Sequence, residues 1–128
     1  MKILLDTCTF LWIAAGAPQL SATAKHLFRD PGNEVFLSSI SAWEISIKYG
    51  LGRLPLPDEP RIFVPEQRKA HEIEMMSLGE DAALHLGKLP VLHNDPFDRM
   101  LVCQSIVHGM TILTPDLLIT AYPAKTIW

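Results

Sequence analysis

Short, wholly apolar runs alternate along this chain with stretches whose apolar positions recur at helical spacing. Runs without polar alternation are the mark of strands covered on both faces. Lys2 to Leu5, Glu34 to Ser38 and Thr111 to Leu113 are therefore predicted strands, joined by further short ones at Ile73 to Met76 and Lys125 to Trp128. The intervening stretches predict helices. Thr9 to Ala15 is stopped by Gly16 and Pro18, and Ala22 to Arg29 is capped by Ser21 and carries Ala24, Leu27 and Phe28 on one stripe. Ser41-Ala42-Trp43-Glu44 has the form of a capping box for a third helix running to about Tyr49. Two glycines and three prolines between Gly50 and Pro60 mark a loop, after which Arg61 to Glu72 is read as a helix broken or restarted at Pro65. Glu80 to Leu86 ends at Gly87. The clearest helix opens at Asp95-Pro96, a capping acid followed by proline at the first helical position, and runs to Gly109. A short helix follows Asp116.

Strands that alternate with helices give an α/β fold, a parallel sheet of four to five strands with helices on both faces, because parallel strands need crossovers and right-handed crossovers lie on the sheet. A length of 128 residues with 48% hydrophobic composition suits one domain over 1–128. Charge narrows the function. Eleven Lys+Arg against fourteen Asp+Glu, with a pI near 5.9, excludes binding of nucleic acid by a diffuse basic surface. Two cysteines, Cys8 and Cys103, give neither a disulfide framework nor a zinc knuckle and fit a reducing, cytoplasmic setting. No run approaches the ~20 apolar residues of a membrane span.

Ligand sites in such sheets lie beyond the carboxyl ends of the strands. Asp6 directly follows the first strand and Asp116 the fourth; Glu44 is read in the first turn of the helix after the second strand, and Asp98 in the first turn of the helix from Asp95. Each has an ordinary explanation, since acids at helix N-termini accept from free N–H groups, and Asp95 is read as such a cap. Caps have no reason to share one sheet edge, however. Two carboxylates ~5 Å apart repel by about 3 kcal/mol at an effective dielectric near 20, so four together call for a cation, and an oxygen-only set selects Mg²⁺ or Mn²⁺. Such an ion activates water and stabilises a leaving oxygen, which makes phosphodiester hydrolysis the natural reaction. Asp6 and Asp98 are expected as principal ligands, with Glu44 completing the shell or orienting water and Asp116 binding directly or through water. Thr7 and Thr114 have hydroxyls placed to orient neighbouring acids. Arg99 is read as meeting a phosphate or, more simply, as a solvated salt bridge.

Other residues point to packing. The five histidines lack paired-ligand spacing, Cys103 is expected as a small buried hydrophobe, and Trp12 and Trp43 as core anchors. Lys48, Arg53 and Arg99 are among the few cations available to a phosphodiester substrate, solvation being the default for each. Leu51 to Val64 is read either as partner surface or as a covering loop.

Taken together, Leu4-Leu5-Asp6-Thr7, Ser41-Ala42-Trp43-Glu44-Ile45, His93 to Leu101 with its Asp-Pro-Phe-Asp-Arg block, and Ile112-Leu113-Thr114-Pro115-Asp116 resemble the PIN-domain family, and within it the VapC-type toxins. The resemblance implies a three-layer α/β/α fold and a small metal-dependent endoribonuclease using Asp6, Glu44, Asp98 and Asp116. It also implies a cognate antitoxin that blocks the site, and a homodimer. Cys8 and Pro115 depart from the residues common at those positions. The competing readings are a receiver-like or other acidic-site phosphate enzyme, and a non-catalytic module whose acids dock a basic partner.

Overall fold

The computed structural model describes all residues from Met1 to Trp128. Its centre is β1 (Lys2–Leu5), which pairs in parallel with β2 (Glu34–Ser38) on one side and β4 (Thr111–Leu113) on the other. The short strands β3 (Glu74–Met76) and β5 (Lys125–Ile127) close the two edges, giving a five-stranded parallel sheet of order β3-β2-β1-β4-β5. The chain therefore winds outward from β1 through β2 to β3, crosses back, and winds outward again through β4. That reversal sits between β1 and β4, and in sheets of this kind ligands bind beyond the carboxyl ends of the strands at such a point.

Register turns the apolar runs into two cores. Ile3 and Leu5 stand opposite Val35 and Leu37, and together with Leu113 they face helices α1 (Thr7–Ala15), α2 (Ala22–Arg29) and α4 (Pro60–Ala70). Leu4 and Ile112 point the other way, against α6 (Pro96–His108) and α7 (Leu117–Thr120). Helix α3 (Ser39–Gly50) passes the end of the sheet and contributes to both, Ile40 to the second core and Ile45 to the first. The expected three-layer α/β/α arrangement is thus met, and Cys103 is fully buried on α6 as expected.

Several boundaries differ from the sequence reading. Helix α1 begins at Thr7 rather than Thr9, because Asp6 itself is the cap and accepts from the Thr9 N–H at 2.8 Å. Helix α3 begins at Ser39, capped by Ser38 and not by the Ser41–Glu44 box. Glu44 consequently lies in the second turn and makes no cap bond. Helix α4 runs through Pro65 unbroken, with Pro60 as its proline at the start. The predicted helix Glu80 to Leu86 divides into α5 (Glu80–Leu84) and a 3₁₀ turn (His85–Lys88). Trp12 packs against the first core and edge-on to Trp128, but Trp43 is 55% exposed and is no core anchor: its ring meets that of Phe97 edge to face at 5.2 Å. Leu54 and Leu56, from the proline-rich loop, cover the first core. At the other end of α6, Gly109 takes the left-handed conformation at φ 64° that closes the helix, where a Cβ is strained.

Candidate active site at the carboxyl edge of the sheet

Strand order brings the acids together. Asp6 and Asp116 leave adjacent strands, and one hydroxyl joins them: Thr114, 1% exposed, donates to Asp6 Oδ2 at 2.5 Å and accepts from the Asp116 N–H at 3.0 Å. Asp116 in turn caps α7 by accepting from the Leu118 N–H. Glu44 is brought in by the next residue of the first segment. Thr7 donates to Glu44 Oε1 at 2.6 Å, and since that commits its one proton, the Ser41 hydroxyl 2.9 Å away donates to Thr7. The threonines therefore act crosswise. Each holds the acid of another segment and not the one beside it in sequence, Thr7 fixing Glu44 and Thr114 fixing Asp6.

Asp98 arrives on α6. Asp95 caps that helix, accepting from the Phe97 and Asp98 N–H groups, which frees the Asp98 carboxylate to face the cluster. His93 secures the entry, its Nδ1 accepting from the Asp95 N–H while its Nε2 lies 3.2 Å from the Leu118 carbonyl, so α6 and α7 are tied across the mouth of the site.

The electrostatics show real proximity. Burial, then the charges of Asp95, Asp116, Glu44 and Asp6, push the Asp98 carboxyl from the usual carboxylate range up to about 7. Asp6, 3% exposed, is also pushed up by burial, opposed by its hydrogen bonds from Thr114 and Thr9. Cys8 lies at the edge of the cluster, where burial and then the charges of Asp6 and Glu44 raise its thiol to about 11 and keep it neutral.

The expectation that only a cation makes this cluster tenable needs correction. Two devices already relieve the repulsion, the raised proton affinity of Asp98 and an ion pair from Lys48 to Glu44 Oε2. With Glu44 so engaged, no three His, Cys, Asp or Glu side chains are closed around a common point as they stand. The donor chemistry nonetheless fits a hard divalent cation: oxygen ligands only, Asp6 and Glu44 buried and Asp98 and Asp116 half-buried, with one carboxylate whose charge state a cation would favour.

Arg99 forms no salt bridge, contrary to the simpler expectation, and its Nε is buried without an acceptor. Arg53 lies in the exposed turn after α3. The sequence reading named Lys48 only among the cations available to a substrate, and gave Ser41 and His93 no part in holding the acids. Lys48 carried a signal, standing four residues after Glu44 on one helix face.

Thr114 gives a direct check. Thr114→Val leaves Asp6 Oδ2 buried without a donor, so we expect about 1–3 kcal/mol lost in chemical denaturation and a 10–100-fold loss of any activity that uses Asp6, with Thr114→Ser near wild type. Equal behaviour of the two variants would mean that the hydroxyl does nothing for Asp6.

Known proteins locate this arrangement. The chain is 39% identical over 56 residues to ribonuclease VapC16 of Mycobacterium tuberculosis, a match spanning 41% of this chain and only 40% of that protein. Its fold is shared with VapBC2 from Rickettsia felis, solved bound to a DNA fragment from its promoter, at TM-score 0.74 and 16% identity over 99% of this chain and 98% of that one. DNA-bound VapBC from Salmonella typhimurium is similar at TM-score 0.71 and 19% identity, covering 100% of this chain and 97% of that chain. Residues 3–123 match the PIN domain along nearly the whole sheet, from β1 to the end of α7 and beyond, and the chain belongs to that family.

Proposed function

We propose that this protein is an endoribonuclease that hydrolyses RNA phosphodiester bonds with Mg²⁺ or Mn²⁺, and that it is the toxin of a toxin–antitoxin pair. The observation that supports this is that Asp6, Glu44 and Asp116, from three other chain segments, all bear electrostatically on Asp98, with Glu44 and Asp6 held by buried threonine hydroxyls. Nucleases of this family work with divalent metal ions. Asp6 and Asp98 would hold the ion, with Glu44 and Asp116 completing its shell directly or through water. Bound there, it supplies Lewis acidity toward the phosphodiester and lowers the pKa of a bound water.

The chain's own residues do the rest. Thr114 and Thr7 fix the carboxylates so that little reorganisation accompanies binding. Asp95 and His93 set the start of α6 and with it the position of Asp98. Asp98, holding a proton below about pH 7, must release it before it can serve as a ligand.

The cognate antitoxin and a homodimer belong to the same reading, supported by the similarity to toxins solved in VapBC complexes. Exposed apolar side chains suit such partners: Trp43, Ile47 and Leu51 form one stripe at i, i+4 and i+8 along and just past α3, and Leu117 and Leu118 stand exposed on α7.

The test is cleavage of single-stranded RNA by the purified chain. Mg²⁺ or Mn²⁺ should support it, excess chelator should stop it, and Asp6→Asn should reduce it at least about 100-fold with the fold intact by circular dichroism. Undiminished cleavage in chelator would remove the mechanism, and binding of a basic peptide without cleavage would favour the docking-module reading.

A further inference from the structure

Lys48 is the one cation in an ion pair with a site acid; the other pair in the chain, Arg61 with Glu59, is remote from it on α4. Its partner is lopsided. The Glu44 side chain is only 7% exposed and that of Lys48 49%, so a buried carboxylate is met from the solvent side by a flexible ammonium. The two oxygens of Glu44 are held differently. Oε1 accepts from Thr7, itself buried and fixed by Ser41, whereas Oε2 is engaged by Lys48 alone. The first contact belongs to the rigid frame. The second can be given up to another cation, because a half-exposed ammonium regains water on leaving and the incoming charge keeps the buried carboxylate paired.

An ion at the acid cluster and the Lys48 ammonium would compete for Oε2. An ammonium has no lone pair and cannot join a metal shell, so it must move aside, and two like charges close together repel. A phosphodiester entering the site offers the displaced ammonium a new anion a few ångströms away. Lysine suits this exchange as a compact point charge on a four-carbon stem, with no fixed fork to satisfy.

We propose that Lys48 is a positioning residue, a tethered counter-cation that neutralises Glu44 in the empty site and transfers to a substrate phosphate when a divalent ion takes its place. This deepens the ribonuclease reading and rests on it. It separates Lys48 from an ordinary surface i,i+4 pair by two effects of opposite sign. Removing the charge should tighten metal binding, because a competitor is gone, and weaken RNA binding, because a phosphate contact is gone. A pair that only supports the helix would change neither.

The experiment uses the full chain. Mn²⁺ binding is measured by the electron paramagnetic resonance of free Mn²⁺ for wild type, Lys48→Met, Lys48→Arg and Asp98→Asn. Binding of a single-stranded RNA analogue whose bridging 3′-oxygens are replaced by methylene groups, which keeps the phosphate charge and removes the scissile bond, is measured over a salt series at saturating Mn²⁺ for wild type and Lys48→Met. We expect Lys48→Met to bind Mn²⁺ about 3–10-fold more tightly and Lys48→Arg to stay within about twofold of wild type. RNA should bind about 3–10-fold more weakly without Lys48, with the logarithmic salt slope shallower by about 0.7, the value for one phosphate contact on a single strand. Unchanged or weaker Mn²⁺ binding in Lys48→Met overturns the proposal, as does an unchanged salt slope. If Asp98→Asn binds Mn²⁺ as tightly as wild type, Asp98 is no ligand and the ligand set of the ribonuclease reading fails, a result that the Lys48 variants do not produce.

Discussion

Replacing Asp98 with asparagine is expected to reduce RNA cleavage by about three orders of magnitude and, in the absence of metal, to make the protein more stable at neutral pH. The first effect follows from the ligand role proposed for Asp98: an ion held there would stabilise transition-state charge, and about 4 kcal/mol corresponds to a thousandfold in rate. The second follows from the raised carboxyl. Burial and the charges of Asp95, Asp116, Glu44 and Asp6 push Asp98 to about 7, against an unperturbed value of 3.8. Between roughly pH 4 and pH 7 the folded chain therefore binds more protons here than the unfolded chain, so stability declines as pH rises through that window and stays reduced above it. Asparagine has the same shape and no charge, and escapes the decline. A shift of this size converts to about 4 kcal/mol, but Asp98 is only partly buried, and solvent screening brings the expected gain to about 1–2 kcal/mol. That is about 3–8 °C in thermal melts with chelator at pH 8, vanishing near pH 4. A variant less stable than wild type at pH 8, or a gain independent of pH, would show that the acids do not strain one another.

A variant that is more stable and less active is what a functional acid cluster should give, and the same tension explains which parts of the structure were legible in the sequence. The strands were plain because Ile3-Leu4-Leu5 and Val35-Phe36-Leu37 are unbroken apolar runs, and a parallel strand buried on both faces has no other pattern. Asp6, Asp98 and Asp116 were legible for a related reason: chain order fixes where strands and helices end, and α/β topology puts those ends at one edge. Glu44 was placed at the same sheet edge as Asp6 for the wrong reason. Its capping box matched the pattern, but the true cap is Ser38, whose hydroxyl also donates to Gln104 on α6 at 2.5 Å, a bond between segments 66 residues apart that no local motif encodes. The crosswise roles of Thr7 and Thr114 were hidden in the same way, since hydroxyl partners depend on register across strands. Trp43 misled because a tryptophan on an otherwise apolar helix reads as core, whereas α3 crosses the end of the sheet and buries only Ile40, Ser41, Glu44 and Ile45. The helix period alone does not say which stripe faces in when a helix serves two cores.

Divalent metal binding should depend steeply on pH up to neutrality and level off above it. Asp98 cannot hold a proton and an ion together, so below about 7 each pH unit should weaken Mn²⁺ binding close to tenfold, a change of about 100-fold between pH 5 and pH 7. Asp6 adds to this in the same direction, since burial raises its carboxyl too, although the hydrogen bonds from Thr114 and Thr9 hold the rise in check. The ion binds the folded chain and not the unfolded one, so affinity appears as stability: at a free concentration 100 times the dissociation constant the gain is about 2.7 kcal/mol. Melting temperatures with and without a fixed Mn²⁺ concentration should diverge as pH rises from 5 to 7 and then run parallel. In Asp98→Asn the proton competition is gone, and any remaining gain should vary far less with pH. A wild-type gain that is already full at pH 5 would mean that Asp98 does not hold the ion, and the ligand set would have to be built around Asp6 and Glu44 instead.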